Sequence, residues 1–252
     1  MNNSAFGLIC EIDPEDERTW RGRIFLTFDI DWAHDDVISD TIELLEDYGV
    51  PATWFITHST KLIHRLVGND LFQAGLHPNF NSLLNGDLSN GVNAANVLLS
   101  LHEIVPTATA VRSHSLTQNE RLVDLFLSNG LTHASNVFIP IGRNIQLAPW
   151  RLWGGLTVTP HCWQDNVALR MPLTMPTVLE VMHNLAIFNF HPIHVYLNTE
   201  DLDRYERTRH LHQEPGELIK HRYQGYGTRS RLVSLLEQVG TGIPTERQGS
   251  RV

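Results

Sequence analysis

IFLTFDID at residues 24–31, running into the loop WAHDD at 32–36, is the stretch on which the fold turns. Its side chains are apolar or β-branched until two carboxylates close it, the composition of a strand covered on both faces. Period-two alternation predicts Asp29 and Asp31 on one face, with Phe28 and Ile30 turned into a helix layer. Residues 41–48 then carry helical apolar spacing and stop at Gly49-Val50-Pro51, completing one β/α unit. An open doubly wound sheet would alternate in the same way, but its nucleotide-binding form needs a glycine-rich first turn, and DWAHDD stands there instead.

The unit recurs outward from this point. Strand-like runs follow at 52–57 (ATWFIT), 72–77 (FQAGLH), 109–114 (TAVRSH), 131–136 (LTHASN), 156–161 (LTVTPH) and 187–192 (IFNFHP). Helical periodicity lies between several of them, at 94–104, 119–129 and 177–185, and returns at 229–239. The expectation is an α/β chain forming one distorted (β/α)7 barrel, closed or nearly so, over residues 1–252 with a core at about 22–240. Residues 200–227, polar and punctuated by glycine, read as an irregular excursion or lid, and the tail after Gly240 as frayed.

The formal charge of -9, from 28 acids against 19 bases, disfavours nucleic acid and anionic membrane surfaces as partners. No window is apolar enough to span a bilayer, and MNNSAFGLICEIDPEDERTW lacks the basic-then-apolar order of an export signal, so a cytoplasmic protein is expected. Two isolated cysteines, Cys10 and Cys162, predict buried thiols and no disulfide framework. Histidine is the abundant special residue, at 14.

In parallel β/α folds the ligand sits at the carboxyl ends of the strands. Five of the ends predicted here carry polar groups that fill a dry core poorly: Asp29 and Asp31, His77, Arg112 and His114, His161, and His191. Two carboxylates sharing a barrel mouth repel unless a cation lies between them, which makes Asp29 and Asp31 a natural base-plus-metal pair. A helix-capping carboxylate is the structural alternative. Imidazoles from His77 and His114 with one carboxylate would suit zinc or a similar divalent ion and leave positions open for water and substrate. His34, Asp35 and Asp36 read as a solvated loop.

LTFDID (26–31), PATWFIT (51–57), QAGLH (73–77), VRSHS (111–115) and IFNFHP (187–192), in this order, resemble the motifs of NodB-type polysaccharide deacetylases, carbohydrate esterase family four, and within them the deacetylase-like proteins of lipopolysaccharide biosynthesis loci. The resemblance implies Asp29 as catalytic base, Asp31 and His77 as metal ligands, Arg112 beside the base, and His191 as general acid. PHCWQDN (160–166) stands near the family's Trp and Asp motif, which suggests Asp165 behind His191 and Trp163 under the sugar. That family has a second histidine four residues after the first; here Asn81 occupies the place, and His114 is the proposed replacement ligand. His194 in the HPIH run is an alternative to His191, although a continued strand would turn it to the opposite side. Trp32, Trp150 and Trp153 are further candidates for stacking on pyranose faces.

The implied activity is metal-dependent removal of an acyl group from an acetamido sugar in surface polysaccharide or lipopolysaccharide biosynthesis, with zinc as the expected ion. Hydrolysis of a small non-sugar amide, or silent glycan binding on the same fold, are the rival expectations. Oligomeric state is not readable from the sequence.

Overall fold

β1 (Ile24–Asp29) is buried along its whole length because both its faces are covered. In the computed structural model, which describes residues 5–88, 92–141, 145–171 and 173–240, it lies inside one nine-stranded sheet. The other strands are β2 (Ala52–Ile56), β3 (Phe72–Leu76), β4 (Ala110–Val111), β5 (His133–Ala134), β6 (Trp150–Arg151), β7 (Thr157–Val158), β8 (Trp163–Gln164) and β9 (Ala186–Phe190). The spatial order is β6-β7-β5-β4-β3-β2-β1-β9-β8, and every pairing is parallel except β6 with β7.

That order forces the sheet to curl. β7 and β8 stand seven places apart across the sheet, which on a flat sheet would separate them by about 34 Å at ~4.8 Å per strand. The chain from Val158 to Trp163 reaches no more than about 18 Å. The strands therefore wrap until the two edges nearly meet, the distorted barrel that the β/α alternation predicts. All seven predicted strands are present; β6 and β8, of two residues each, are additional.

Alternation along the central strands sorts their side chains. Phe28 stacks on Trp54 of β2 (centroids 4.6 Å apart) and on Phe190 of β9 (5.8 Å), while the side chains of Thr27 and Asp29 meet Arg112. Helix Asp35–Tyr48 begins where His34 accepts from the Asp36 amide, and it ends at Gly49, whose φ of 63° is the left-handed cap a glycine supplies without strain. Helices Ala94–Ile104 and Glu120–Ser128 start at Asn93 and Asn119, whose side chains cap them. The helix expected over 177–185 is shorter, Val178–Met182.

Two further expectations are corrected, and a third is untested. Residues 200–227 contain helices Leu202–Thr208, capped by Asp201, and Pro215–Leu218, so the segment is built rather than irregular. Cys10 is exposed, and only Cys162 is a buried thiol. The predicted frayed tail after Gly240 falls outside the described residues. Among the described residues no helix is long and apolar enough to cross a membrane.

Candidate active site

The carboxyl ends of the strands open into a cavity of about 610 Å³. Beneath it lies an ion pair with almost no exposure, of which only Asp29 lines the cavity: Arg112, fully buried, donates through Nη1 to Asp29 Oδ1 at 3.0 Å, to Thr27 Oγ1 at 2.9 Å and to Asn189 Oδ1 at 2.6 Å. Its remaining donors reach Ser135, with Nε to the carbonyl at 3.2 Å and Nη2 to Oγ at 2.8 Å, and the guanidinium lies over the Phe55 ring at 4.5 Å. Asn189 Nδ2 donates to the second Asp29 oxygen at 2.7 Å. Burial raises the Asp29 carboxyl, but Arg112, with His77 and His191, outweighs it and holds the pKa below the usual value. Asp29 is thus an ionised carboxylate facing a cavity, positioned by charge-assisted bonds.

Asp31 reaches the mouth by a different route from strand alternation. β1 ends at Asp29, and Asp31 (φ 38°) and Trp32 (φ 56°) both adopt left-handed backbone. Such residues cost on the order of 1–3 kcal/mol each unless the surroundings hold them. Here Trp32 N donates to Thr57 Oγ1 at 3.1 Å, and Gln213 Nε2 donates to the Trp32 carbonyl at 3.1 Å. His114 likewise sits in a tight turn past the short β4, with Ser115 and Leu116 at positive φ. Asn81, the departure from the family pattern, donates from Nδ2 to Ser115 Oγ at 2.9 Å and so clamps the turn that carries His114.

Asp31 Oδ1, His77 Nε2 and His114 Nδ1 come together as a triangle with edges of 3.2, 3.4 and 3.3 Å. A tetrahedral site with bonds of about 2.0–2.2 Å has ligand-to-ligand edges of about 3.3–3.6 Å. Asp31 Oδ1 is buried and has no hydrogen-bond partner among the described residues, so it is left aimed into that triangle. Burial raises the Asp31 carboxyl, yet His114 and His77 hold it well below the usual range. Neutral nitrogens with one carboxylate fit a zinc-like ion.

A second group able to hold an ion is Asp165, His191 and His194. Both carboxylate oxygens and the Nδ1 atoms of this group are already committed. Asp165 Oδ1 takes His191 Nδ1 at 2.6 Å, Oδ2 accepts from the His191 amide at 2.7 Å, and His194 Nδ1 meets Thr199 Oγ1 at 3.1 Å. Burial lowers the His191 pKa, but Asp165, reinforced by Asp31 and Asp29, overcomes it and raises the value to about 10. The imidazole therefore holds a proton at neutral pH, with Nε2 3.5 Å from Asp31 and 3.8 Å from Asp29. His194 belongs on this side of the cavity, against expectation, because the chain turns at Pro192 into helix Pro192–Leu197 instead of extending β9.

Of the tryptophans, only Trp32 lines the cavity, edge-on to His114 at 5.3 Å. Trp163 does not floor a sugar site: it is fully buried against Phe190 and Phe188. Trp150 and Trp153 are exposed and do not line the cavity. His34 and Asp35 line a neighbouring pocket with Lys61 and Gln213. His161 is buried beneath the site, and burial, aided by Arg112, lowers its pKa to about 3. Sequence reasoning misses Ser135, Gln164, Asn166, Arg170 and Tyr205; the polar close of LTHASN is the signal that could have found the first.

A family profile described as WbmS-like polysaccharide deacetylase matches residues 26–209. A crystal structure from Bordetella bronchiseptica, described as a polysaccharide deacetylase involved in O-antigen biosynthesis, is 42% identical with a TM-score of 0.89, over 94% of this chain and 99% of that one. The chain belongs to the WbmS-like polysaccharide deacetylase family. A polysaccharide deacetylase structure from Mycobacterium smegmatis aligns with 91% of this chain and 94% of its own, at 16% identity and a TM-score of 0.46. Among curated proteins no match is found.

For a WbmS-like deacetylase the Asp165–His191 pair has a direct kinetic expectation. The raised His191 pKa keeps the protonated form until pH climbs through about 10. Asp165→Asn removes the strongest anion acting on it, so the basic limb of the pH–rate profile moves to lower pH. An unmoved basic limb in that variant would mean that Asp165 does not set the protonation of the group that limits the rate at high pH.

Proposed function

We propose that this protein is a metal-dependent N-deacetylase acting on an acetamido sugar during surface polysaccharide or lipopolysaccharide assembly, with zinc the best-suited ion. The observation that carries the reading is the position of Asp29, within 3.8 Å of both His77 on the ligand side and His191 on the acid side. The Bordetella bronchiseptica relative, described as taking part in O-antigen biosynthesis, supports the substrate class.

Asp31, His77 and His114 would hold the ion, which when bound supplies Lewis-acid polarisation of the acyl carbonyl and acidifies the attacking water. Asp29 accepts the proton of that water, and Arg112 keeps the carboxylate charged and aimed. His191, protonated and fixed through Nδ1 by Asp165, presents Nε2 to the cavity and delivers a proton to the departing amine. Asn189 bridges base and guanidinium, so these roles are coupled by direct bonds. His114 completing a ligand triangle where the family histidine is replaced by Asn81 favours activity over a silent glycan binder.

Elemental analysis of purified protein, coupled to acetate release from an N-acetylated sugar with and without chelator, tests the reading. His114→Ala removes one vertex, and its metal affinity falls at least about 100-fold, since even outer partners of such ligands are worth 10–100-fold. Undiminished metal binding in this variant would remove the proposed ligand set.

A further inference from the structure

The segment after β8 has a task beyond anchoring the acid. Asp165 points inward to His191, while Gln164, Asn166 and Arg170 line the cavity. His161 Nε2 donates to Gln164 Oε1 at 2.9 Å, which leaves the amide nitrogen of Gln164 without a protein acceptor among the described residues. Asn166 Oδ1 is buried and has no hydrogen-bond partner among the described residues, an acceptor that lacks its donor.

The charges around the cavity sort in the same way. Asp29 is engaged by Arg112, Asp31 by the ligand histidines, and Glu206 by Arg209 at 3.3 Å. Arg170 is the one lysine or arginine among the described residues lining the cavity, and no ion pair or side-chain hydrogen bond engages its guanidinium among them. A planar fork of donors left free at the wall of a concave site matches a carboxylate or phosphate, which it can bind with two parallel bonds. The chain as a whole is negative, at -9, so its long-range field does not gather anions, and an anionic ligand depends on this local cation.

We propose that the substrate carries an anionic group, a carboxylate or a phosphate, that pairs with Arg170 while a neighbouring hydroxyl or N–H donates to Asn166 Oδ1. The deacetylase reading supplies the acyl sugar in the same cavity; the anion site itself stands on the residues of 164–170. A ring carboxylate would make the substrate an acidic acetamido sugar, whereas a phosphate would make it a sugar still attached to a diphosphate carrier.

The test titrates three probes into the full-length protein by calorimetry and follows acetate release in parallel: N-acetylglucosamine, the methyl glycoside of N-acetylglucosaminuronic acid, and UDP-N-acetylglucosamine. At least one anionic probe is expected to bind about 10- to 100-fold tighter than the neutral sugar, the range of a charge-assisted pair. Arg170→Gln should abolish that preference, and Arg170→Lys, which keeps charge without the fork, should restore part of it. The preferred anion identifies the source. Arg170 is exposed, so an unchanged melting temperature serves as the folding control. Equal binding of all three probes, no binding of either anion, or a preference that survives in Arg170→Gln overturns the proposal. Arg170-dependent binding without acetate release would uphold it while refuting the deacetylase reading; acetate release indifferent to Arg170 would do the reverse.

Discussion

Asp29→Asn lowers kcat for acetate release by about a hundredfold to ten-thousandfold, the usual worth of a general base, while the metal content of the protein is retained. The variant keeps the shape of the side chain while removing its charge and basicity and replacing one acceptor oxygen by an amide nitrogen. Asp29 is not in the Asp31, His77 and His114 triangle, so metal binding and proton abstraction separate cleanly. Some stability is also lost, because an amide offers one oxygen where the carboxylate accepted from both Arg112 and Asn189. Rates are therefore compared well below the melting transition. A variant within about tenfold of the parent kcat would mean that another group takes the proton.

Arg112→Met produces the largest loss of stability, about 3–5 kcal/mol, because it leaves the buried Asp29 carboxylate without its cation. The guanidinium also satisfies Thr27, Asn189 and both oxygens of Ser135, and methionine replaces none of these bonds. For a chain of this size, at about 2–4 °C per kcal/mol, the melting temperature drops by on the order of 10 °C. Adding Asp29→Asn to Arg112→Met recovers part of the loss, since the stranded charge disappears. Strict additivity of the two substitutions in thermal or urea unfolding would contradict the pairing.

The features legible in the sequence are those with a period or a fixed chemistry. Strands of five or six residues, such as IFLTFD and AIFNF, announce themselves by apolar runs, and Asn93 marks the start of a helix that spans 94–104 as expected. The clustering of Asp29, Asp31, His77, Arg112, His114 and His191 follows from one rule, that parallel strands present their carboxyl ends on one rim. Less legible is how each side chain arrives there. Asp31 and His114 are aimed by left-handed turns, and nothing in Asp-Trp or Ser-Leu demands positive φ, which tertiary contacts such as Gln213 to Trp32 help to hold. His194 escapes the alternation rule because a proline after the strand opens a helix. Trp163 follows core packing rather than its motif neighbourhood. Strands of two residues, β6 and β8, are too short to carry any alternation.

Asp29 and Asn189 bond directly although 160 positions separate them, because β9 inserts beside β1 instead of taking the sheet's outer place. As the polypeptide leaves the ribosome, the inner side of β1 therefore waits for a neighbour synthesised long afterwards. Until then Thr27 and Asp29 lack their amide companion, and loop closure over so great a contour length is slow. The carboxylate proposed as the base thus gains its full set of partners only when β9 docks, and an N-terminal fragment, however well its early strands pair, lacks a finished environment for it.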